Sequence, residues 1–305
     1  MKKVALVVDN SGRLTKDEED LLGINKVIPI SFIVNGEEYY ENQNMSYSDF
    51  YNFLKDKNSS VSTSQPSIEF VKEEWREVLK SYDEIVYIVL SSGLSEACNS
   101  AINASNDEEF VNKVFVVNNQ RVAYMNKMAM FQARHLINQG KSGKEIKAYL
   151  EETKNDCGVY IAVDTLKYLK KGGRVTPAAA AIGTLLNIKP ILQIHGGKLD
   201  AYAKVIAMKQ AKAKMINAVK KEIQEKFAEE AKLGQVYIGM AHSNPDLSAK
   251  ELADFENEVR KEFSDLPLFT FDPLPLFIVC HTGPNALAVG YCVDKTGSVN
   301  AIRNK

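Results

Sequence analysis

The side chains of this chain best suited to chemistry are hydroxyls gathered at turns, one histidine and one arginine. Val61-Ser62-Thr63-Ser64-Gln65-Pro66-Ser67 holds four hydroxyls and an amide just before a strongly periodic helix. Pro66 suits the first helical position, where a missing N–H costs nothing. The unpartnered N–H groups of a helix start attract anions. Ser91-Ser92-Gly93-Leu94-Ser95 is a second such turn, with Ser95 placed as the N-cap of the next helix. His281 directly follows the apolar run 276–280, read as a buried strand, and enters a Thr-Gly-Pro turn whose amides can face a ligand. There it is a donor and, when protonated, a cation for a carboxylate. Arg174 follows Gly172-Gly173, and a guanidinium holds carboxylate or phosphate bidentately. An ordinary cap at 61–67 and a surface arginine at 174 describe the same residue types equally well.

Three chemistries stay open on these residues. One is binding of an anionic head group, and another is binding of a small polar or phosphorylated ligand at the helix starts. The third is hydrolysis by Ser95 or Ser92 paired with His281, for which no orienting carboxylate can be named. Gly-x-x-x-x-Gly-Lys-Ser/Thr, Gly-x-Gly-x-x-Gly, His-Glu-x-x-His and Gly-x-Ser-x-Gly are all absent. The nucleotide, zinc and hydrolase signatures are therefore missing, and no cofactor or metal is expected. His135 inside a long helix and His242 after a strand read as structural, while His195 before Gly196-Gly197 reads as a solvated turn.

A net charge of −1 gives no reason to expect nucleic acid. Cys98, Cys157, Cys280 and Cys292 are scattered without Cys-x-x-Cys spacing, which suits reduced, buried thiols. The apolar run 4–8 stops at Asp9, too short for a signal peptide, and nothing approaches a membrane span. With 45% hydrophobic and 25% charged residues, the expectation is a cytoplasmic, monomeric globular protein of two domains.

The elements that must position these side chains are legible from periodicity. Strands are predicted at 4–8, 27–34, 84–90 and 114–117, and helices over 45–57, 68–82, 95–105, 120–139 and 142–155. This alternation predicts an N-terminal, Rossmann-like parallel sheet over 1–156 with helices on both faces. Asn35-Gly36 predicts a tight hairpin. From 157 to 305 the pattern changes to a C-terminal α+β domain with a mixed or antiparallel sheet. Its predicted strands are 159–163, 189–194, 201–205, 236–240, 268–271, 276–280 and 286–293. A short helix is read at 165–170, a small-residue helix at 178–186, and two long amphipathic helices around 216–227 and 252–263.

Taken in order, Thr63-Ser64-Gln65-Pro66-Ser67, Ser91-Ser92-Gly93-Leu94-Ser95, Leu166-Lys167-Tyr168-Leu169-Lys170-Lys171-Gly172-Gly173-Arg174 and His281-Thr282-Gly283-Pro284 resemble the blocks of the DegV family. Val27-Ile28-Pro29-Ile30 and Leu185-Leu186-Asn187-Ile188-Lys189-Pro190-Ile191 are similar to its patterns too, so the resemblance covers essentially the whole chain. It implies a two-domain α/β, non-enzymatic protein that binds a long-chain fatty acid and presents it to a separate fatty acid kinase. Thr63, Ser95 and His281, with Ser92 and Arg174, would hold the carboxylate. The tail would lie in a tunnel between the domains, lined by the small-residue stripe Leu94, Cys98, Ala101 and Ser105. About sixteen buried methylenes at roughly 0.8 kcal/mol each supply on the order of 13 kcal/mol gross, so the tail dominates affinity. The chain departs from the family pattern at Asn10, Arg13, Glu96, Ala97, Ile206 and Asn285. They bear on the pocket mouth and hence on presentation to the kinase.

Overall fold

The computed structural model describes residues 2–56, 58–182, 188–194, 197–243 and 249–303. His195, Gly196 and the end of the helix expected over 178–186 lie outside the described residues. The chain divides into two compact units. One comprises Met1–Ile30, Ser64–Asp156 and Asp294–Lys305, the other Ser31–Thr63 and Cys157–Val293. The cut expected at 156/157 is one of four crossings, since residues 31–63 pack with the second unit and 294–305 with the first.

The first unit holds β1 (Val4–Asp9), α1 (Lys16–Leu22) and β2 (Lys26–Ile28) before the chain leaves it. In the second unit the excursion forms β3 (Ser31–Val34), β4 (Glu37–Tyr39), α2 (Tyr47–Lys55) and β5 (Val61–Ser64), which ends at the crossing. Back in the first unit come α3 (Ile68–Leu79), β6 (Glu84–Ile88), α4 (Ala97–Ala104), β7 (Val114–Val117), α5 (Tyr124–Asn138) and α6 (Gly143–Glu152). The long second-unit stretch begins with β8 (Cys157–Ala162), α7 (Lys167–Gly172), α8 (Pro177–Ile182), β9 (Lys189–Ile194) and β10 (Asp200–Val205). It continues through α9 (Met208–Lys226), α10 (Ala228–Lys232), β11 (Val236–His242), α11 (Ala249–Glu262), β12 (Leu268–Pro273), α12 (Leu276–Thr282) and β13 (Leu287–Val293). The closing helix α13 (Ser298–Arg303) belongs to the first unit.

Strands of the first unit form one parallel sheet in the order β2-β1-β6-β7. Every residue of β1 and β6 is buried, which is why these runs are apolar without alternation. The predicted stripe of α3 buries Val71 and Trp75, and the Trp75 ring meets Tyr87 and Phe110 edge-on at 5.9 and 5.2 Å. The second unit carries a six-stranded sheet, β10-β9-β8-β13-β11-β12, antiparallel except for the β11–β12 pair. Met215, Val219 and Ile223 of α9 pack on it with Phe255 and Val259 of α11. A small sheet, β4-β3-β5, completes this unit, and its Asn35-Gly36 turn has φ of 53° and 93° as a tight hairpin requires.

Several elements differ from the sequence reading. The strand predicted over 27–34 is two strands in two sheets, because Pro29 offers no N–H to continue a ladder. The run 276–280, read as a strand, is helix α12, with Pro275 at its start and Gly283 at φ 71° at its end. A short apolar run has no periodicity to separate strand from buried helix. Pro66 is not the first helical residue: Ser67 caps α3, its Oγ accepting from Phe70 N–H at 3.2 Å. Thr63 therefore stands on a strand rather than at a helix start. Ser95 is likewise one residue outside the N-cap position, which Glu96 occupies, although its Oγ accepts from Ala97 N–H at 3.2 Å. The start of α5 is delayed to Tyr124 by left-handed backbone at Gln120 and Ala123.

Candidate functional site

Two sequence blocks far apart in the chain interlock in the second unit. Gly172, closing α7, lies against the imidazole of His281 in the last turn of α12. A Cβ at 172 would stand 2.1 Å from His281 Nδ1. In return, Gly283 lies under the ring of Tyr168 from α7, where a Cβ would stand 2.4 Å from a ring carbon. Each block thus supplies a ring and the glycine that receives the other's ring. Gly283 is further restricted by its φ of 71°, which L side chains rarely adopt.

The free edge of the His281 ring meets β5. Thr63 Oγ1 lies 2.9 Å from His281 Nε2, with Thr63 half-buried on its strand. Nδ1 is buried and has no hydrogen-bond partner among the described residues. A buried N–H without an acceptor is costlier than an idle lone pair, which assigns the Nε2–H tautomer. Nε2–H then donates to Thr63 Oγ1, and the Thr63 hydroxyl proton is left to donate outward. Burial, and secondarily the positive charge of Arg174, push the His281 pKa down to about 4. The ring is therefore neutral at pH 7, so the cationic role read from the sequence does not hold.

Arg174 leaves the Gly172-Gly173 turn and folds back, donating from Nη1 to the Gly172 carbonyl. Thr63, His281 and Arg174 are thus one cluster within the second unit. Its frame includes residues that the sequence reading missed. Glu41, from the 31–63 excursion, accepts from Leu276 N–H at 2.7 Å and so caps α12, which has no cap of its own. Tyr47 donates to the other Glu41 oxygen at 2.6 Å. The excursion therefore supplies both Thr63 and the anchor of the helix that carries His281.

Ser92 and Ser95 belong to the first unit, each half-buried on the turn that follows β6. That turn is pinned by Asp9, whose carboxylate accepts from Leu90 N–H at 2.6 Å and from Ser11 N–H and Oγ at 2.9 and 2.5 Å. Burial pushes the Asp9 pKa up to about 6 in spite of these bonds. Cys98 and Ala101 of α4, two of the four residues of the small-residue stripe, pack in the core with Trp75 and Tyr87. Glu96 is exposed and bonded to Asn99 of its own helix at 2.9 Å. Asn285 has φ 65°, the left-handed backbone that asparagine tolerates best after glycine, and donates to Asp164 at 2.8 Å. Ile206 is 73% exposed.

Among the described residues no acid orients the His281 ring, and its low pKa makes it a weak base at neutral pH. The hydrolase chemistry finds no support in this arrangement. His135 bonds Gln139 of its own helix at 2.8 Å, and His242 meets Phe271 edge-on at 5.5 Å. Among the described residues no group of three or more His, Cys, Asp or Glu side chains is placed to hold a metal ion. Among the described residues no helix is long and apolar enough to cross a membrane.

Residues 3–294 match the model of a family described as uncharacterised proteins of the DegV family. A DegV domain-containing protein of Halalkalibacterium halodurans is 30% identical over 301 residues, covering 97% of this chain and 100% of its own. Among solved structures, a DegV family protein of Thermus thermophilus, described by its fatty acid binding, superposes with a TM-score of 0.81 at 27% identity, over 95% of this chain and 99% of its own. DegV of Bacillus subtilis, a fatty acid binding protein, superposes with a TM-score of 0.79 at 28% identity, over 96% and 100% of the two chains.

Proposed function

We propose that this chain, which belongs to the DegV family, binds a long-chain fatty acid whose carboxylate is received at Thr63 and His281. The observation that carries this reading is the 2.9 Å Thr63–His281 contact, which leaves a hydroxyl proton poised to donate. A neutral imidazole donating into a hydroxyl polarises it as a donor without placing a full charge beside the ligand. Arg174 supplies the nearby positive charge that an anionic head group requires. The tail is buried in an apolar tunnel and contributes most of the gross affinity, from which ordering and association entropy subtract.

The fatty acid kinase remains the proposed recipient of the bound ligand. Ile206, exposed where the resemblance expects an arginine, lowers the positive charge available for docking such a partner. A phosphorylation assay comparing wild type with Ile206→Arg tests this. The binding reading itself is tested by extracting lipid from purified wild type, Thr63→Ala and His281→Ala proteins. Fatty acid in the wild type and depletion in both variants support it. A wild type that carries a nucleotide or another phosphorylated compound instead contradicts it.

A further inference from the structure

Cys157 and Cys292 are cross-strand partners in the register of β8 with β13. All four cysteines are buried and none is in a disulfide, so the pair is reduced in this structure. In an antiparallel ladder, opposed residues alternate between pairs that exchange backbone hydrogen bonds and pairs that do not. The second kind bring their Cα atoms to about 4.5 Å with side chains on one face. The phase of the alternation follows from two independent hydrogen bonds.

On one side, Val163 N–H donates to the Pro190 carbonyl at 3.1 Å, one step beyond the Ala162–Ile191 pair of β8 with β9. Odd-numbered residues of β8 therefore turn their backbone groups toward β9, and even-numbered residues toward β13. On the other side, Ser243 N–H donates to the Ala286 carbonyl at 2.9 Å, one step beyond the His242–Leu287 pair of β11 with β13. Even-numbered residues of β13 therefore face β11. Both routes make Gly158–Tyr291 the hydrogen-bonded pair and Cys157–Cys292 the non-hydrogen-bonded one. Tyr160, Val289 and Tyr291 point to the face that packs on α9, so the two thiols share the opposite face.

We infer that Cys157 and Cys292 form a reversible cross-strand disulfide when the protein meets a low-molecular-weight disulfide. A Cα separation of about 4.5 Å lies at the short edge of the range that a disulfide spans, where the bond is more easily reduced. The pairing therefore belongs with labile, regulatory disulfides rather than permanent ones. In the reaction, the external disulfide reaches Cys157, the first residue of β8, when that end of the strand opens, and the Cys157 thiolate attacks it and expels one thiol. Cys292 then attacks the mixed disulfide at the Cys157 sulfur and expels the second thiol. The two cysteine thiols are oxidised, the external disulfide is reduced to two thiols, and the two protons leave with them. The bond joins the first residue of the 157–293 stretch to its second-last, closing nearly all of it into one loop. Cross-links that close long loops constrain the unfolded chain most.

The test incubates the reduced full-length protein to equilibrium in buffers of graded oxidised to reduced glutathione. Free thiols are then trapped with an alkylating agent and the peptides mapped by mass spectrometry. The expected result is a peptide pair joined through Cys157 and Cys292, with Cys98 and Cys280 still alkylated after unfolding. The oxidised protein melts several degrees higher, and dithiothreitol reverses both changes. Cys157→Ser and Cys292→Ser each abolish the cross-link and the shift. Four free thiols in the most oxidising buffer, an unresolved glutathione adduct, a bond involving Cys98 or Cys280, or a cross-link that leaves the melting point unmoved would each overturn the inference.

Discussion

Replacing His281 by glutamine or by asparagine separates its two ring nitrogens. A glutamine amide reaches the position of Nε2, whereas an asparagine amide ends near that of Nδ1. Only Nε2 touches Thr63, at 2.9 Å, while Nδ1 is buried against Gly172 without a partner. Glutamine therefore keeps the donor to Thr63 Oγ1, and asparagine loses it. Losing a hydrogen bond that serves a charged group costs about 1.5–3 kcal/mol, or roughly 10- to 150-fold in Kd. The expected order, measured by displacement of a fluorescent fatty acid, is wild type close to His281→Gln, with His281→Asn weaker by at least about 10-fold. The pH dependence gives a second readout. The folded pKa of about 4 lies below the ordinary value of 6.5, so between these values the unfolded chain binds more protons than the native state. His281 therefore contributes no pH-dependent loss above pH 6.5, and stability falls as pH drops from 6.5 to 4, by at most about 3 kcal/mol. His281→Gln removes that component of the acid slope. Retention of affinity by asparagine and loss by glutamine would refute the assigned tautomer.

Gly172→Ala places a methyl 2.1 Å from Nδ1, so the imidazole must leave Thr63. Ligand affinity should fall at least about 10-fold alongside the roughly 1–3 kcal/mol cost of overpacking, and unchanged affinity would count against the interlock. Glu41→Ala uncaps α12 and should cost about 1.5–3 kcal/mol in urea unfolding, whereas Glu41→Gln retains an oxygen acceptor and most of the stability; equal losses in the two would mean that the carboxylate acts elsewhere. Ala101→Phe should destabilise the first unit by about 1–3 kcal/mol, because Ala101 is 2% exposed beside Trp75 and Tyr87. A folded Ala101→Phe protein of wild-type stability that no longer binds fatty acid would return this helix face to the ligand.

Legibility in the sequence followed the physics of each element. The buried parallel strands 4–8 and 84–90 announce themselves as unbroken apolar runs, and Asn35-Gly36 announces its hairpin through the left-handed backbone it demands. Helix α12 is opaque because its seven residues are too short to show a 3.6-residue period and its Phe-Ile-Val core mimics a strand. Thr63 and His281 were legible as candidates by residue type, but their contact spans 218 positions and joins a strand to a helix. Glu41 had no local signal at all, since it caps a helix 235 residues away. The glycines of both blocks carried no visible reason until the rings packed against them were in place.

The most direct measurement is a calorimetric titration of the delipidated protein with a long-chain fatty acid and, separately, with its methyl ester. The ester keeps the tail and removes the charge that the Thr63 hydroxyl and Arg174 would meet. Saturable one-site binding of the acid is expected, with at least about 10-fold weaker binding of the ester and a narrower gap in Thr63→Ala. Equal affinities for acid and ester, or a gap unchanged in Thr63→Ala, would contradict a carboxylate site at Thr63 and His281.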